Sequence, residues 1–249
     1  MSAHTLTGKT VLVTGANRGI GAAVVRELLK TGAAKVYAAA RRTSSLPNFG
    51  DARVQALQLD ITDTASIAAA AREAHDVDVL INNAGTAAFG DLFDQSTEDA
   101  TRDFATNFYG TYNTVRAFVP AFRARRSGTI VNVVSVVGLT AAPMGPGYSA
   151  SKAALQSLTQ SFRATLAADG ISVLGVYPGP IDTDMAKDLT WDKATPEHAA
   201  EKIVAGIQAG ETYIFPDPVA EQIGQLWARD GRALDNAFAA RAEAAAEAA

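Results

Sequence analysis

Apolar and β-branched residues recur along the chain in short continuous runs, each followed by a stretch with the spacing of an amphipathic helix. Thr10-Val-Leu-Val-Thr14 ends at Gly15 and leads into a helical pattern from Gly19 to about Lys30. Further runs stand at Lys35–Ala40, Val54–Leu59, Asp78–Asn82, Thr129–Val134 and Ile171–Val176, with helical stretches between them. Six strand candidates with helical crossovers belong to a parallel sheet covered on both faces. The pattern predicts an α/β fold, a doubly wound parallel sheet in three layers, as a single domain over residues 1–249. Ligands of such sheets sit beyond the carboxyl ends of the strands, so functional residues are expected just after each strand.

No repeat of fixed period and no Pro/Ser-rich linker interrupts this organisation, and Arg41–Gly50 and Pro178–Pro196 read as substantial loops. Tyr213-Ile-Phe-Pro216 is a candidate last strand. Residues 217–249 then read as a mostly helical extension. Within it Ala237–Ala249 has high helix propensity and almost no large apolar residues, the pattern of a solvated terminal helix.

Composition narrows the function classes. With 48% hydrophobic and 19% charged residues over 249 positions, a large core is expected and disorder is not. A formal charge of −4 offers no general attraction to nucleic acid or anionic membranes. There is no cysteine, and His4, His75 and His198 stand far apart, so no metal site is expected. Met1–Lys9 lacks the apolar stretch of a secretory leader, and no apolar run approaches the roughly 18 residues of a membrane span. The expected location is the cytoplasm.

Thr14-Gly-Ala-Asn-Arg-Gly-Ile-Gly21 places glycines between the first strand and its helix. Unsatisfied N–H groups at a helix start, with the positive end of its dipole, attract a pyrophosphate, and glycine removes the Cβ that would keep it away. Gly15, Asn17, Arg18, Gly19 and Ile20 are therefore cofactor-binding candidates. Many dinucleotide folds carry an acidic residue at the end of the second strand to hold the adenosine ribose. This chain reads Ala39-Ala40-Arg41-Arg42 instead. Two guanidiniums, with Arg18 as a third, match a 2′-phosphate and predict NADP(H) over NAD(H).

Tyr148 and Lys152 stand four apart at the opening of a helical segment, which puts both side chains on one face. Lowering a phenol by about three pKa units takes about 4 kcal/mol, the work of one charge at about 4 Å in an effective dielectric of about 20. Lys152, together with an oxidised nicotinamide, is the expected source of that charge.

Taken in order, Gly15–Gly21, Asn82-Asn-Ala-Gly85 after the fourth strand, Asn107 in a helix, Ser135 after the fifth strand, Tyr148-xxx-Lys152 and Pro178-Gly-Pro-Ile-Asp-Thr183 after the sixth resemble the short-chain dehydrogenase/reductase family. The resemblance covers about residues 8–215 and implies a Rossmann fold and a single-domain, NADP(H)-preferring carbonyl reductase or alcohol dehydrogenase. It makes Tyr148 the acid/base, Ser135 the donor to the substrate oxygen, Lys152 both the tuner of Tyr148 and a ribose ligand, and Asn107 the holder of a relay water. It assigns Asp60 and Ile61 to the adenine and Asn83, Ala84 and Gly85 to the adenosine ribose. Pro178, Gly179, Ile181 and Thr183 would frame the nicotinamide. Homodimers or homotetramers are common in the family, although the tail here departs from its usual C-terminal contact.

Lysine at 152 speaks against dehalogenase relatives, and the short Tyr–Lys separation against enoyl reductases. The alternative function is a nucleotide-sensing regulator or scaffold on the same fold, against which the intact set of Asn107, Ser135, Tyr148 and Lys152 argues. Three segments point to a largely apolar substrate pocket: Met185, Leu189 and Trp191 between Thr183 and Pro196; Leu139, Ala141, Pro143 and Met144; and Phe89, Leu92 and Phe93. Hydrophobic or aryl ketones and aldehydes are the expected substrates.

Overall fold

The computed structural model describes residues 5–187, 189 and 191–247, the last seven by backbone alone. Seven strands, β1 (Thr10–Thr14), β2 (Lys35–Ala40), β3 (Val54–Gln58), β4 (Val79–Asn82), β5 (Gly128–Val133), β6 (Ile171–Val176) and β7 (Tyr213–Ile214), form one parallel sheet ordered β3-β2-β1-β4-β5-β6-β7. All six expected strands are present. The seventh is two residues long, ending before Phe215-Pro216 rather than including them.

β1 shows why continuous apolar runs were required. Its successive side chains point to opposite faces, and both faces are covered. Val11 and Val13 pack with Val24, Leu28, Val36, Ile203 and Ile207, beneath α1 (Gly19–Lys30) and α6 (Pro196–Ala209). Leu12 packs with Leu57, Ile67, Leu80, Phe118 and Phe122, beneath α2 (Thr64–Glu73) and α4 (Thr111–Arg125). α2 starts at Thr64 because Asp63 caps it, accepting from the Ala65 amide at 2.9 Å; Asp60 instead closes its own turn on the Thr62 amide and hydroxyl.

The chain reverses its direction of travel between β1 and β4, which opens a crevice above their carboxyl ends. Around it stand α3 (Thr97–Asp103), a π-helical turn at Phe104–Gly110 that joins α3 to α4, and α5 (Pro146–Leu166).

After α7 (Pro218–Arg229) comes α8 (Gly231–Glu247), which is anchored near its start, while Ala237, Ala239 and Ala240 further along are exposed. Leu234 is 1% exposed in a third apolar cluster with Val134, Val136, Leu155 and Tyr177, and the Thr140 hydroxyl donates to Asp235 at 2.9 Å. Ala248 and Ala249 lie outside the described residues.

Candidate active site

One cavity of about 790 Å³ runs along the carboxyl ends of the strands, within the range of dinucleotide and substrate sites. Its floor begins at the β1–α1 turn. Gly15 (φ +65°) and Gly19 (φ +53°) adopt the left-handed backbone that favours glycine, and α1 starts with no side chain bonded to its free amides. A Cβ on Gly15 would stand 2.9 Å from the Ala84 Cα, and one on Gly21 would strike the Gly15 carbonyl and come within 2.5 Å of the Asn83 Nδ2. Asn83 fastens the two turns together, its Nδ2 donating to the Thr14 carbonyl at 2.9 Å and to the Gly15 carbonyl at 3.2 Å. Bare backbone, a helix start and nearby guanidiniums fit the diphosphate of a dinucleotide.

Gly15, Asn17, Arg18, Gly19, Ile20, Arg41, Arg42, Asp60, Ile61, Asn83, Ala84 and Gly85 all line the cavity, as do Ser135, Tyr148, Lys152, Pro178, Gly179, Ile181 and Thr183. Burial works to raise the Asp60 carboxyl, but the Thr62 hydroxyl and amide and the Arg41 charge together hold it below its ordinary value. Arg18 is shared: its guanidinium meets Asp184 at 2.5 Å, with both side chains about 70% exposed. So exposed a pair contributes about 0–1 kcal/mol, too little to withhold Arg18 from a phosphate.

At the other end α5 delivers the titratable pair. Pro146 opens the helix, the Gly147 amide donates to the Gln95 side chain at 2.9 Å, and Tyr148 and Lys152 follow on one face. The Lys152 Nζ is 5.7 Å from the centre of the Tyr148 ring and donates to the Val133 carbonyl at 2.9 Å. Ser135 makes two long bonds, donating to the Pro178 carbonyl and accepting from the Val137 amide, both at 3.3 Å, and its hydroxyl also influences the Tyr148 phenol.

Burial dominates the electrostatics of the pair. The Tyr148 ring is only partly covered, since one side faces the cavity, yet burial pushes its phenol up to about 12; the Ser135 hydroxyl opposes this, and the Asp103 carboxylate adds to it. Burial likewise brings Lys152 down to about 8, against the pull of Asp103. For both groups the largest influence is desolvation, which disfavours the charged form.

A stability prediction follows from Lys152. Between its folded value near 8 and its ordinary 10.5, the unfolded chain binds more protons than the folded one, so stability rises with pH across that window. Lys152→Met removes the buried charge and is expected to raise Tm at pH 7, with the advantage shrinking towards pH 10. Thermal unfolding at both pH values measures it, and a lower Tm at pH 7 would show that the bond to Val133 outweighs the cost of burying the ammonium.

Asn107 sits at the middle of the π-helical turn, fully buried behind the cavity wall rather than lining it. Its side chain is committed at both ends. Oδ1 accepts from the Thr86 amide, and Nδ2 donates to the Thr86 carbonyl and the Ser151 hydroxyl, all at 2.9 Å. The two Nδ2 hydrogens are thereby used, and Oδ1 keeps one lone pair.

Two buried carboxylates escaped the sequence reading. Asp103 accepts from the Thr86 hydroxyl at 2.8 Å and the Ala88 amide at 3.0 Å, fixing the loop beside Lys152. Asp217 accepts from the Gly179 amide at 2.7 Å and caps α7 on the Ala220 amide at 2.9 Å. The dipeptide Asp217-Pro218 is a helix-start signal that points to this cap; for Asp103 the sequence carries no such signal.

Among the apolar candidates, Phe89, Pro143, Met144, Met185, Leu189 and Trp191 line the cavity, whereas Leu92, Phe93, Leu139 and Ala141 do not. Leu92 and Phe93 are exposed. Among the described residues no three His, Cys, Asp or Glu side chains gather as metal ligands, and no helix is long and apolar enough to cross a membrane. His4 lies outside the described residues.

Residues 9–194 match the family model described as short chain dehydrogenase. A ketoacyl reductase, HetN, of Nostoc sp. is 32% identical over 241 residues, covering 89% of this chain and 84% of its own. The oxidoreductase UcpA of Escherichia coli is 33% identical over 231 residues, covering 89% and 86%. A short chain dehydrogenase of Burkholderia cenocepacia, solved in complex with NADP, superposes with a TM-score of 0.89 at 36% identity, over 94% of this chain and 99% of that one.

Proposed function

The chain belongs to the short-chain dehydrogenase family, and on that footing we propose that it is an NADPH-dependent reductase of ketones or aldehydes. The observation that carries the reading is one continuous cavity, with Arg41 and Arg42 beside a bare glycine turn at one end and Ser135, Tyr148 and Lys152 together at the other.

The β1–α1 turn and α1 start would hold the diphosphate, Arg41 and Arg42 the 2′-phosphate, and Pro178, Gly179, Ile181 and Thr183 the nicotinamide. The Burkholderia relative, solved with NADP, supports the same cofactor. Bound NADPH supplies the hydride. The protein's part is to hold the carbonyl and move the proton. Ser135, whose bonds are long, turns its hydroxyl to the substrate oxygen. Tyr148, held near 12, is a neutral phenol at pH 7 and so enters in the proton-donating form. Its proton passes downhill, because an alkoxide is a far stronger base than a phenolate. Lys152, held near 8 and mostly protonated at neutral pH, stands beside the phenolate as the charge that stabilises it and the source of its next proton. Asn107 stands behind Lys152 for the relay.

Initial rates with NADPH and NADH across small keto acids and bulky aryl ketones test the reading. Replacing both Arg41 and Arg42 with alanine is expected to raise the KM for NADPH about 10- to 100-fold, as loss of charge-assisted phosphate bonds requires, and to leave that for NADH nearly unchanged. Equal losses with both cofactors would remove the 2′-phosphate assignment.

A further inference from the structure

Resting on the reductase reading above, we propose that Phe238 on α8 and Trp191 on the loop after β6 form a specificity-determining wall that selects flat aromatic carbonyl substrates. α8 is held by the burial of Leu234 and the Thr140–Asp235 bond, so Phe238, one turn beyond Leu234 on the same face, is fixed over the cavity. Trp191 reaches the same place from a loop whose base is closed: Asp182 donates its amide to the Ala194 carbonyl at 2.9 Å, and Ala194 to the Pro180 carbonyl at 3.1 Å. The two rings meet with centroids 6.5 Å apart and planes at 55°. Both are half-buried, leaving ring surface for a ligand.

The rest of this end suits the same ligand. The Phe89 ring meets Tyr148 edge-on, at 6.0 Å and 62°, and Met144 and Met185 add thioethers that adapt to an aromatic guest. Charge points the same way. Among the described residues that line the cavity, the cations are Arg18, Arg41 and Arg42 on the turns after β1 and β2, and Lys152 behind Tyr148. Of these, Arg18 is paired with Asp184 at 2.5 Å and Lys152 donates to the Val133 carbonyl, and an unpaired carboxylate in an apolar pocket is strongly disfavoured.

The test is kcat/KM for acetophenone and for pyruvate in the wild type, Phe238→Ala and Phe238→Leu, with NADPH affinity measured alongside. Wild type is expected to favour acetophenone. Phe238→Ala is expected to lower its kcat/KM about tenfold or more, through KM, with NADPH affinity and pyruvate turnover held within about twofold. Phe238→Leu keeps the bulk and α8 packing but loses the π face, and is expected to fall between. An unchanged acetophenone-to-pyruvate ratio in both variants, or a wild type that favours pyruvate, would overturn the proposal while leaving the reductase standing. A wild type that reduces no carbonyl would instead count against the reductase reading. The wall is then read by acetophenone quenching of tryptophan fluorescence in the NADP-loaded protein: saturable quenching that weakens in Phe238→Ala supports it, and its absence in the wild type overturns it.

Discussion

Tyr148→Phe is expected to lower kcat about a thousandfold and to leave NADPH binding within about twofold, because only the proton donor is removed. The ring keeps its place at the start of α5 and its edge contact with Phe89, so the cavity keeps its shape. On the proposed mechanism Ser135 keeps its part at the substrate oxygen, which leaves a residual rate from polarisation and positioning. Removing the phenol also removes a polar group that burial makes costly to ionise, so stability should not fall. Steady-state rates with a fluorescence titration of NADPH measure both halves. A variant within tenfold of wild type would transfer the proton donor's role to another group.

The second large effect is expected at Gly21, where alanine should lower Tm by several degrees and weaken NADPH at least tenfold. The added methyl would enter the space filled by the Gly15 carbonyl and the Asn83 Nδ2. Neither neighbour yields cheaply. The carbonyl is backbone at the cofactor turn, and Asn83 joins that turn to the end of β4. Relieving such overpacking costs about 1–3 kcal/mol, and in a domain of this length each kcal/mol is worth about 2–4 °C. Cofactor affinity suffers separately, because moving Gly15 re-aims the amides at the α1 start. Wild-type Tm and NADPH affinity in Gly21→Ala would mean that α1 slides away from β1 freely. Gly21 is needed for close approach alone, whereas Gly15 combines a positive φ with close approach to Ala84.

The layers of the fold were legible because a strand buried on both faces leaves no choice of residue type: Val11, Leu12 and Val13 serve two cores from adjacent positions. The β1–α1 turn was legible for the same reason, since its positive φ angles and close approaches tolerate few side chains. What stayed hidden was decided by distant partners. The anchoring of α8 was hidden because Leu234 and Phe238 are sparse among alanines, and only the cluster they join shows it. Asp103 reads as one more charge on a polar helix until Thr86 and Ala88 are folded onto it. The burial of Tyr148 and Lys152 was hidden for a related reason. Spacing discloses a neighbouring charge, but the depth of burial, which here matters more, belongs to the whole assembly.

The strand order also sets a timetable for synthesis. β1 is made first and pairs at once with the next strand along the chain, β2, but its other edge waits for β4, whose partners lie some 68 positions later: Val11 pairs with Val79 and Leu12 with Leu80. The Asp78 carboxylate, accepting from the Thr10 amide at 3.0 Å, closes that seam. At about 5–20 residues per second, several seconds pass on the ribosome while one side of the central strand stands open, and long-range parallel pairing is slow even afterwards. A nascent chain halted between β3 and β4 therefore carries the cofactor turn without its Asn83 fastening, and exposes Val11, Leu12 and Val13 at an unpaired strand edge. Chaperone demand at the β1 edge should fall when residues 79–82 have left the exit tunnel, and the open edge then passes to β4, whose partners on β5 lie 50 positions later.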